Sequence, residues 1–425
     1  MASVLEVLNY NAVIISTLDG SNQIDLTNSI VQSDYYEDLF SPSVLMTIDI
    51  ASGYPVLEKL PIVGGEAVLF DVNTASGQFI RDKEFAMYVH KISNIESSAS
   101  TESFRLHLCS MEYLTNETSR VQRKFQKMTI ENHVIKIIRE YLHQNKENPK
   151  VKNGVFDKTA NSYSFIGTVK KPFNVLTWLA PKGIPADSKS GTDGTKAKGT
   201  SGFLFFENYT GYNFRSINNL VKQKASFTYS TNDAIQSNTP NAAFAIINHI
   251  FDRSNDLKES LTLGTYSNVT YFYDVYQNRV DGIVYNISDE VNTKSLLGSE
   301  GIAKSELFGS RVSRVLVRTA DVGILDVEGE KEDAGRDVAD MAKSFSRYNL
   351  LFTQSLNIMV PMNVKLKSGD VIKVVLQNAT SQKDTPESDE KKSGNYLIKE
   401  LRHHFEANKM VTSLKLVRDS YGITE

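Results

Sequence analysis

His403-His404 with Glu406 is the one histidine pair beside a carboxylate in this chain, and metal binding is the chemistry it would serve. A metal site needs several side chains converging on one point. In a strand, neighbouring residues point to opposite faces, so at most His404 and Glu406 act together. Two ligands make no site, and the residues read as polar positions near a hairpin turn. Cys109 is the only cysteine, which excludes an intramolecular disulfide framework and any multi-cysteine zinc or iron–sulfur centre. It reads as a core residue. "GTDGTKAKG" lacks the Gly-x4-Gly-Lys-Ser/Thr spacing that cradles phosphates, and no strand precedes it. The sequence has no Gly-x-Ser-x-Gly elbow, no His-Glu-x-x-His pair and no cysteine–histidine dyad. No catalytic, cofactor-binding or metal-ligating residue is therefore assigned, and no cofactor is expected.

A second candidate chemistry is base stacking. Residues 199–216, "GTSGFLFFENYTGYNFRS", hold six aromatics within their last fourteen positions. A sheet that presents alternate aromatics stacks bases in RNA-recognition domains, and Lys198-Gly199 stands ahead of Phe203 and Phe205. Lys182, Lys189, Lys196, Lys198, Arg215, Lys222 and Lys224 outnumber the nearby acids Asp187, Asp193 and Glu207. The glycine and aromatic spacing does not fit such a strand, however. Phe203 and Phe205 also fall on one face while Leu204 and Phe206 fall on the other. The stretch reads as a hairpin, Phe203–Phe206 then Tyr212–Ser216, buried on both sides.

The elements around these residues follow from periodicity. Val44, Met46, Ile48 and Ile50 alternate, as do Phe104, Leu106 and Leu108, so the first hundred residues read as the strands of a barrel or sandwich. Asp19-Gly20 and Gly64-Gly65 mark turns. Ile130, Val134, Ile137, Ile138 and Tyr141 then recur at helical spacing behind Thr129 as N-cap, and "KPFNVLTWLAP" gives a short helix with Pro172 at its first position. Residues 186–202 are nearly free of apolar side chains and read as a loop, as does the charged run 379–394. Asp281-Gly282 is the expected pivot of another hairpin. Val338, Met341, Ala342 and Phe345 stripe a helix with Glu330, Glu332 and Asp333 near its start. The remainder, "PMNVKLKSGDVIKVVLQN" and "NYLIKELRHHFEANKMVTSLKLVRDS", reads as strand pairs, with Lys399 inside an alternating strand.

The bulk composition bounds the partners. The 425 residues carry 40% hydrophobic and 23% charged side chains at a formal net charge of −3. That length suggests about three domains. A slightly acidic chain has no global field that draws it to phosphate backbones. The N-terminus shows no signal sequence, and no run of 18 apolar residues occurs, so a soluble protein made in the cytosol without a membrane anchor is expected.

The order of these segments, more than any motif, carries a resemblance. "DLFSPSVLMTIDI", "FAMYVHKIS", "FRLHLCSMEYLTNETSRVQRKFQ", "KPFNVLTWLAP" and "GFLFFENYTGYNFRSINNL", followed by the helix at 336–348 and the last strand pairs, resemble the central hub protein of contractile-tailed, T-even-like phage baseplates. The resemblance runs over most of the chain. It implies a mainly β fold with an α+β insertion: two tail-tube-like β-barrel domains and a helix-containing middle module. The first barrel would span 1–110 and the inserted module 111–200. A mixed β/α region, 201–305, would partly complete the first barrel, and the second barrel with its helix would span 306–425. The implied function is structural and not enzymatic: a homotrimeric ring that adapts the sixfold tail tube above to a separate threefold spike below. Other baseplate subunits would surround it in the virion, after assembly in the host cytoplasm. DNA would cross the lumen without specific binding. The competing classes are a cell-wall-degrading enzyme and a nucleic-acid-binding module. The resemblance names no interface residues.

Overall fold

The alternation of the first hundred residues becomes eight strands: β1 Asn9–Ser16, β2 Gln23–Asp25, β3 Ile30–Asp38, β4 Leu45–Ser52, β5 Ala67–Thr74, β6 Gly77–Arg81, β7 Met87–Ser97 and β8 Glu102–Cys109. In this computed structural model the described residues are 8–98, 100–142, 149–186, 202–231, 243–253, 256–274, 278–287, 296–298, 311–320, 343–377 and 388–422. Of the loops read at 186–202 and 379–394, residues 187–201 and 379–387 lie outside them, as does the helical stripe before residue 343. Val44, Met46, Ile48, Ile50, Phe104, Leu106 and Leu108 all enter one apolar core, as their alternation requires.

An α+β region follows. It contains β9 Lys124–Thr129, β10 Val155–Phe156, β11 Ser162–Ile166, β12 Phe203–Asn208 and β13 Gly211–Ser216, with helices at Met111–Thr118, Ile130–Ile137 and Pro172–Leu179. Thr129 occupies the N-cap position of its helix, where its hydroxyl bonds no backbone N–H but joins the Glu131 and Asn132 side chains at 2.7 Å each. Pro172 begins the other helix, where its missing N–H costs nothing. The β12–β13 hairpin lies between two cores. Phe203, Phe205, Tyr212 and Phe214 pack with the helices of this region, and Leu204 and Phe206 pack with the C-terminal strands.

The rest of the chain supplies β14 Thr228–Ser230, β15 Asn248–Arg253, β16 Ser267–Asp274, β17 Arg279–Asn286, β18 Arg314–Ala320, β19 Gln354–Pro361, β20 Val371–Val375, β21 Gly394–Glu406 and β22 Lys409–Arg418. A helix spans 343–350. Asp281-Gly282 does not turn the chain. Both residues lie inside β17, opposite Phe272 and Tyr271, and the turn falls before Arg279. Gly282 is there because the Tyr271 ring covers it, so that a Cβ would approach the ring to 2.9 Å.

The chain is mostly β, and its main feature is a long sheet ordered β15-β19-β22-β21-β3-β4-β8-β7-β5-β1-β2. Strands from both ends of the chain meet in it where β21 pairs antiparallel with β3, from Glu400 opposite Asp38 to Glu406 opposite Gln32. β14 and β15 pair with β20 and β19. Of the strands of 201–305, β14 and β15 thus attach to the C-terminal part of this sheet, while Tyr209, after β12, donates its N–H to Glu37 of β3.

The path repeats itself. β3 and β4 are antiparallel neighbours, the chain leaves through β5, and it returns as the β7–β8 hairpin with β8 beside β4. β15 and β19 are likewise antiparallel neighbours, the chain leaves through β20, and it returns as the β21–β22 hairpin with β22 beside β19. Each returning strand first pairs with its excursion strand, Met87 with Val68 and Leu397 with Val371. Each then bulges, between Val89 and Lys91 and between Ile398 and Glu400. A bulge bends and twists a strand, which lets one strand serve two layers.

Candidate functional site: the polar face of the long sheet

One face of β3, β4, β8, β21, β22 and β19 packs on the core, and the period of two sends the alternate residues to the other face. There Gln32, Asp34, Tyr36 and Asp38 of β3 stand opposite Glu406, His404, Arg402 and Glu400 of β21. Asp49 stands opposite Arg105, and Glu400 opposite Lys415. Opposite charges placed directly across strands attract. The Arg105 guanidinium binds the Asp49 carboxylate through two nitrogens, one at 2.7 Å, and Gln32 Nε2 donates to the same carboxylate at 2.7 Å. These donors hold the Asp49 carboxyl below its usual range. Arg402 Nε donates to Asp34 Oδ1 at 2.8 Å, and Lys415 Nζ lies 3.7 Å from Glu400. The face is hollowed into a trough of about 850 Å³, lined among others by Tyr36, Asp38, Thr47, Asn357, Arg402 and Lys415.

The histidine pair divides as alternation demands. His404 lies on the polar face, its Nδ1 2.7 Å from Asp34 and its Nε2 3.3 Å from Glu406. His403 enters the core, with Nδ1 3.0 Å from the Thr412 hydroxyl, and burial pushes its pKa down to about 3. Among the described residues no three His, Cys, Asp or Glu side chains are placed to hold a metal ion.

The lowered His403 value has a consequence for acid stability. Between the ordinary histidine pKa of about 6.5 and a folded value of about 3, the unfolded chain binds a proton that the folded chain refuses. Stability therefore falls as pH drops below about 6.5, by up to ~1.4 kcal/mol per pH unit for this group. Denaturant titrations at pH 7 and pH 5 should show His403→Gln losing about 2 kcal/mol less than the parent over that interval. Equal losses would mean that His403 is not buried neutral.

The other sequence candidates are structural in their surroundings. Cys109 is fully buried at the end of β8, and burial pushes its thiol up to about 12. Phe203, Phe205, Phe206, Tyr212 and Phe214 are inside, so no base can reach them. Lys182 is buried, with Nζ over the Tyr163 and Trp178 rings and 2.9 Å from the Tyr163 hydroxyl. Arg215 bonds Gln223 at 3.1 Å, and Lys189, Lys196 and Lys198 lie outside the described residues. What sequence reading missed was the polar face itself. Its signal is the set of polar residues alternating with the apolar ones, Gln32-Asp34-Tyr36-Asp38 and Glu400-Arg402-His404-Glu406.

The long sheet thus carries a hollow face whose opposite charges are matched in pairs across its strands. No protein-family model and no curated protein matches the chain. Solved structures do. The tail protein from Neisseria meningitidis MC58 superposes with a TM-score of 0.54 at 11% identity, over 97% of this chain and 97% of that one. The 43 kDa tail protein of prophage MuSo2 from Shewanella oneidensis gives 0.53 at 10% identity, over 97% of this chain and 100% of that one. At these identities the likeness is one of fold, extending over nearly the whole of each chain: this is a mainly β fold shared with phage tail proteins. No described helix is long and apolar enough to cross a membrane.

Proposed function

We propose that this chain is a structural hub of a phage-tail baseplate, and that three copies form a ring adapting a sixfold tube to a threefold spike around a channel for DNA. The observation that carries the reading is the repeat within the long sheet. Each chain offers two four-stranded units of one topology, β3-β4-β8-β7 and β15-β19-β22-β21, joined by the β21–β3 pairing. The two units are our candidates for the tube-like barrels of the N-terminal and C-terminal parts. Among the described residues the unit ends facing away from that junction are unlike and open: β7 beyond Lys91, and β15 on the side away from β19.

An open strand edge seeks a partner. If β7 of one copy pairs with β15 of the next as β21 pairs with β3, the contact is head-to-tail and closes into a ring. Eight strands per copy then give about twenty-four strands for three copies and six similar units for a sixfold tube. Exposed Ile95 on β7 and Ile250 on β15, at 55% and 59% exposure, lie at these edges and would be covered by the pairing. Inside the ring the trough, whose lining mixes charge pairs with apolar residues such as Leu45 and Met359, would face the channel. Its cations are already held by carboxylates, so it would wet the lumen without gripping phosphates. A separate spike, the tail tube and other baseplate subunits are the partners of such a ring, and the virion tail is its place.

Native mass spectrometry or light scattering of the purified chain, with its spike added if required, tests this. The expected mass is three times the 47.5 kDa of the chain. A stable dimer, or a monomer even with the spike present, contradicts the proposal.

A further inference from the structure

Apart from the long sheet, β16 pairs antiparallel with β17 and parallel with β18. One face of this three-stranded sheet is accounted for. Phe272 and Tyr285 are buried there, Asn268 Nδ2 donates to Ser346 Oγ at 2.9 Å, and Arg314 and Arg318 lie over the Phe345 ring of the helix at 343–350. Among the described residues nothing covers the other face. It presents Val280 and Val284 of β17, Tyr271 and Tyr273 of β16, and Val315 and Val317 of β18. The four valines are 58–76% exposed and the two tyrosines about 40%. The intervening positions are valine, glycine and threonine, so the face carries no charge. It offers on the order of 500 Å² of apolar surface, in the range of the largest patch on a typical monomer, which is often functional.

We infer that a neighbouring copy of this chain covers the apolar face of β16–β18, an inference that rests on the ring reading above. Two observations select that occupant. The sheet adjoins the open β15 edge: β15 leads directly into the helix Leu257–Leu263, which is tied back by the Arg253–Glu259 ion pair and runs into β16. A copy paired with β15 would therefore lie next to this sheet. Area is the second argument. β15 is six residues long, and one short strand pairing falls well below the ~800 Å² per partner of a stable interface. The apolar face supplies most of the difference.

The head-to-tail geometry also says which part of the neighbour arrives. It is the β7 side, where the helix Met111–Thr118 lies against β7 and presents half-exposed Tyr113, its ring 6.1 Å from that of His90. A flat face of β-branched and aromatic residues suits such a covering surface without any charge to desolvate.

The test uses the full chain and its V315E/V317E and V315T/V317T variants, followed by native mass spectrometry across a dilution series and by circular dichroism. The glutamates should raise the concentration at which the trimer dissociates by about 100-fold or more with secondary structure unchanged, and the threonines by about 10-fold or less. A second arm places V317C in the otherwise native chain, whose own Cys109 is buried, and follows labelling by a thiol reagent. Labelling should be at least about 10-fold slower in the trimer than in diluted monomer. A parent trimer whose V315E/V317E variant assembles as readily, or whose V317C thiol labels equally fast in both states, overturns the inference and leaves the ring standing. A parent chain that stays monomeric even with its spike present overturns the ring reading, and this inference falls with it.

Discussion

Lys150→Met should cost roughly 3–5 kcal/mol of folding stability, because it leaves two glutamates buried without their cation. Lys150 Nζ lies 2.6 Å from Glu112 Oε2 and 2.8 Å from Glu207 Oε1, and all three side chains are at most 3% exposed. Burial by itself opposes the ammonium charge, but the two carboxylates outweigh it and hold the Lys150 pKa above its ordinary value. The triad joins three segments: the helix Met111–Thr118, the short helix Pro149–Lys152 and strand β12. Glu207 Oε2 also accepts the Val44 N–H at 3.2 Å, which ties the N-terminal strands to the aromatic hairpin. Methionine fills the lysine stem, so the loss isolates charge from packing. Adding Glu112→Gln and Glu207→Gln should recover part of it, since the charges that need a partner are then gone. Denaturant unfolding measures both variants. A loss below about 1 kcal/mol for Lys150→Met would show that the triad is not shielded from water.

Leu401→Pro should abolish the fold and with it any ring, whereas Lys399→Pro should be far milder. Leu401 sits in the middle of β21, opposite Glu37 of β3 and Leu414 of β22, and its side chain is in the core. Proline there removes a ladder hydrogen bond and a buried leucine, at a cost of about 3 kcal/mol or more. From alternation alone Lys399 belongs to the strand interior, where proline would be equally damaging. The structure instead puts it at the bulge between Ile398 and Glu400, one of the few places where a sheet accepts proline. Size-exclusion chromatography and circular dichroism of the two variants decide it. Equal damage from both would contradict the bulge.

Much of the fold could be read from local pattern. The alternation of Val44 to Ile50, the two-sided burial of Phe203 to Phe206 and the opposite fates of His403 and His404 follow from a period of two. The misreadings have local causes as well. Asp281-Gly282 carries the composition of a turn, yet its glycine serves to admit the Tyr271 ring from the paired strand. Lys399 looks like any strand residue, because a bulge leaves no mark on a single strand's alternation. The pairing across the polar face and the buried triad were beyond local reading for a different reason. Asp34 meets His404 across 370 residues, Glu37 holds the Ser368 N–H across 331, and Glu112, Lys150 and Glu207 come from three separate elements. Such partners are chosen by topology. Sequence spacing does not record it.

The internal repeat and the two open edges make the ring the central claim, and electron cryomicroscopy of the purified assembly tests it most directly. The expected image is a threefold ring with six similar β units around an open channel, in which β7 of each copy pairs with β15 of the next and the Asp34–Arg402–Lys415 face lines the lumen. A closed centre, a twofold particle, or a ring in which β7 and β15 remain unpaired would contradict it.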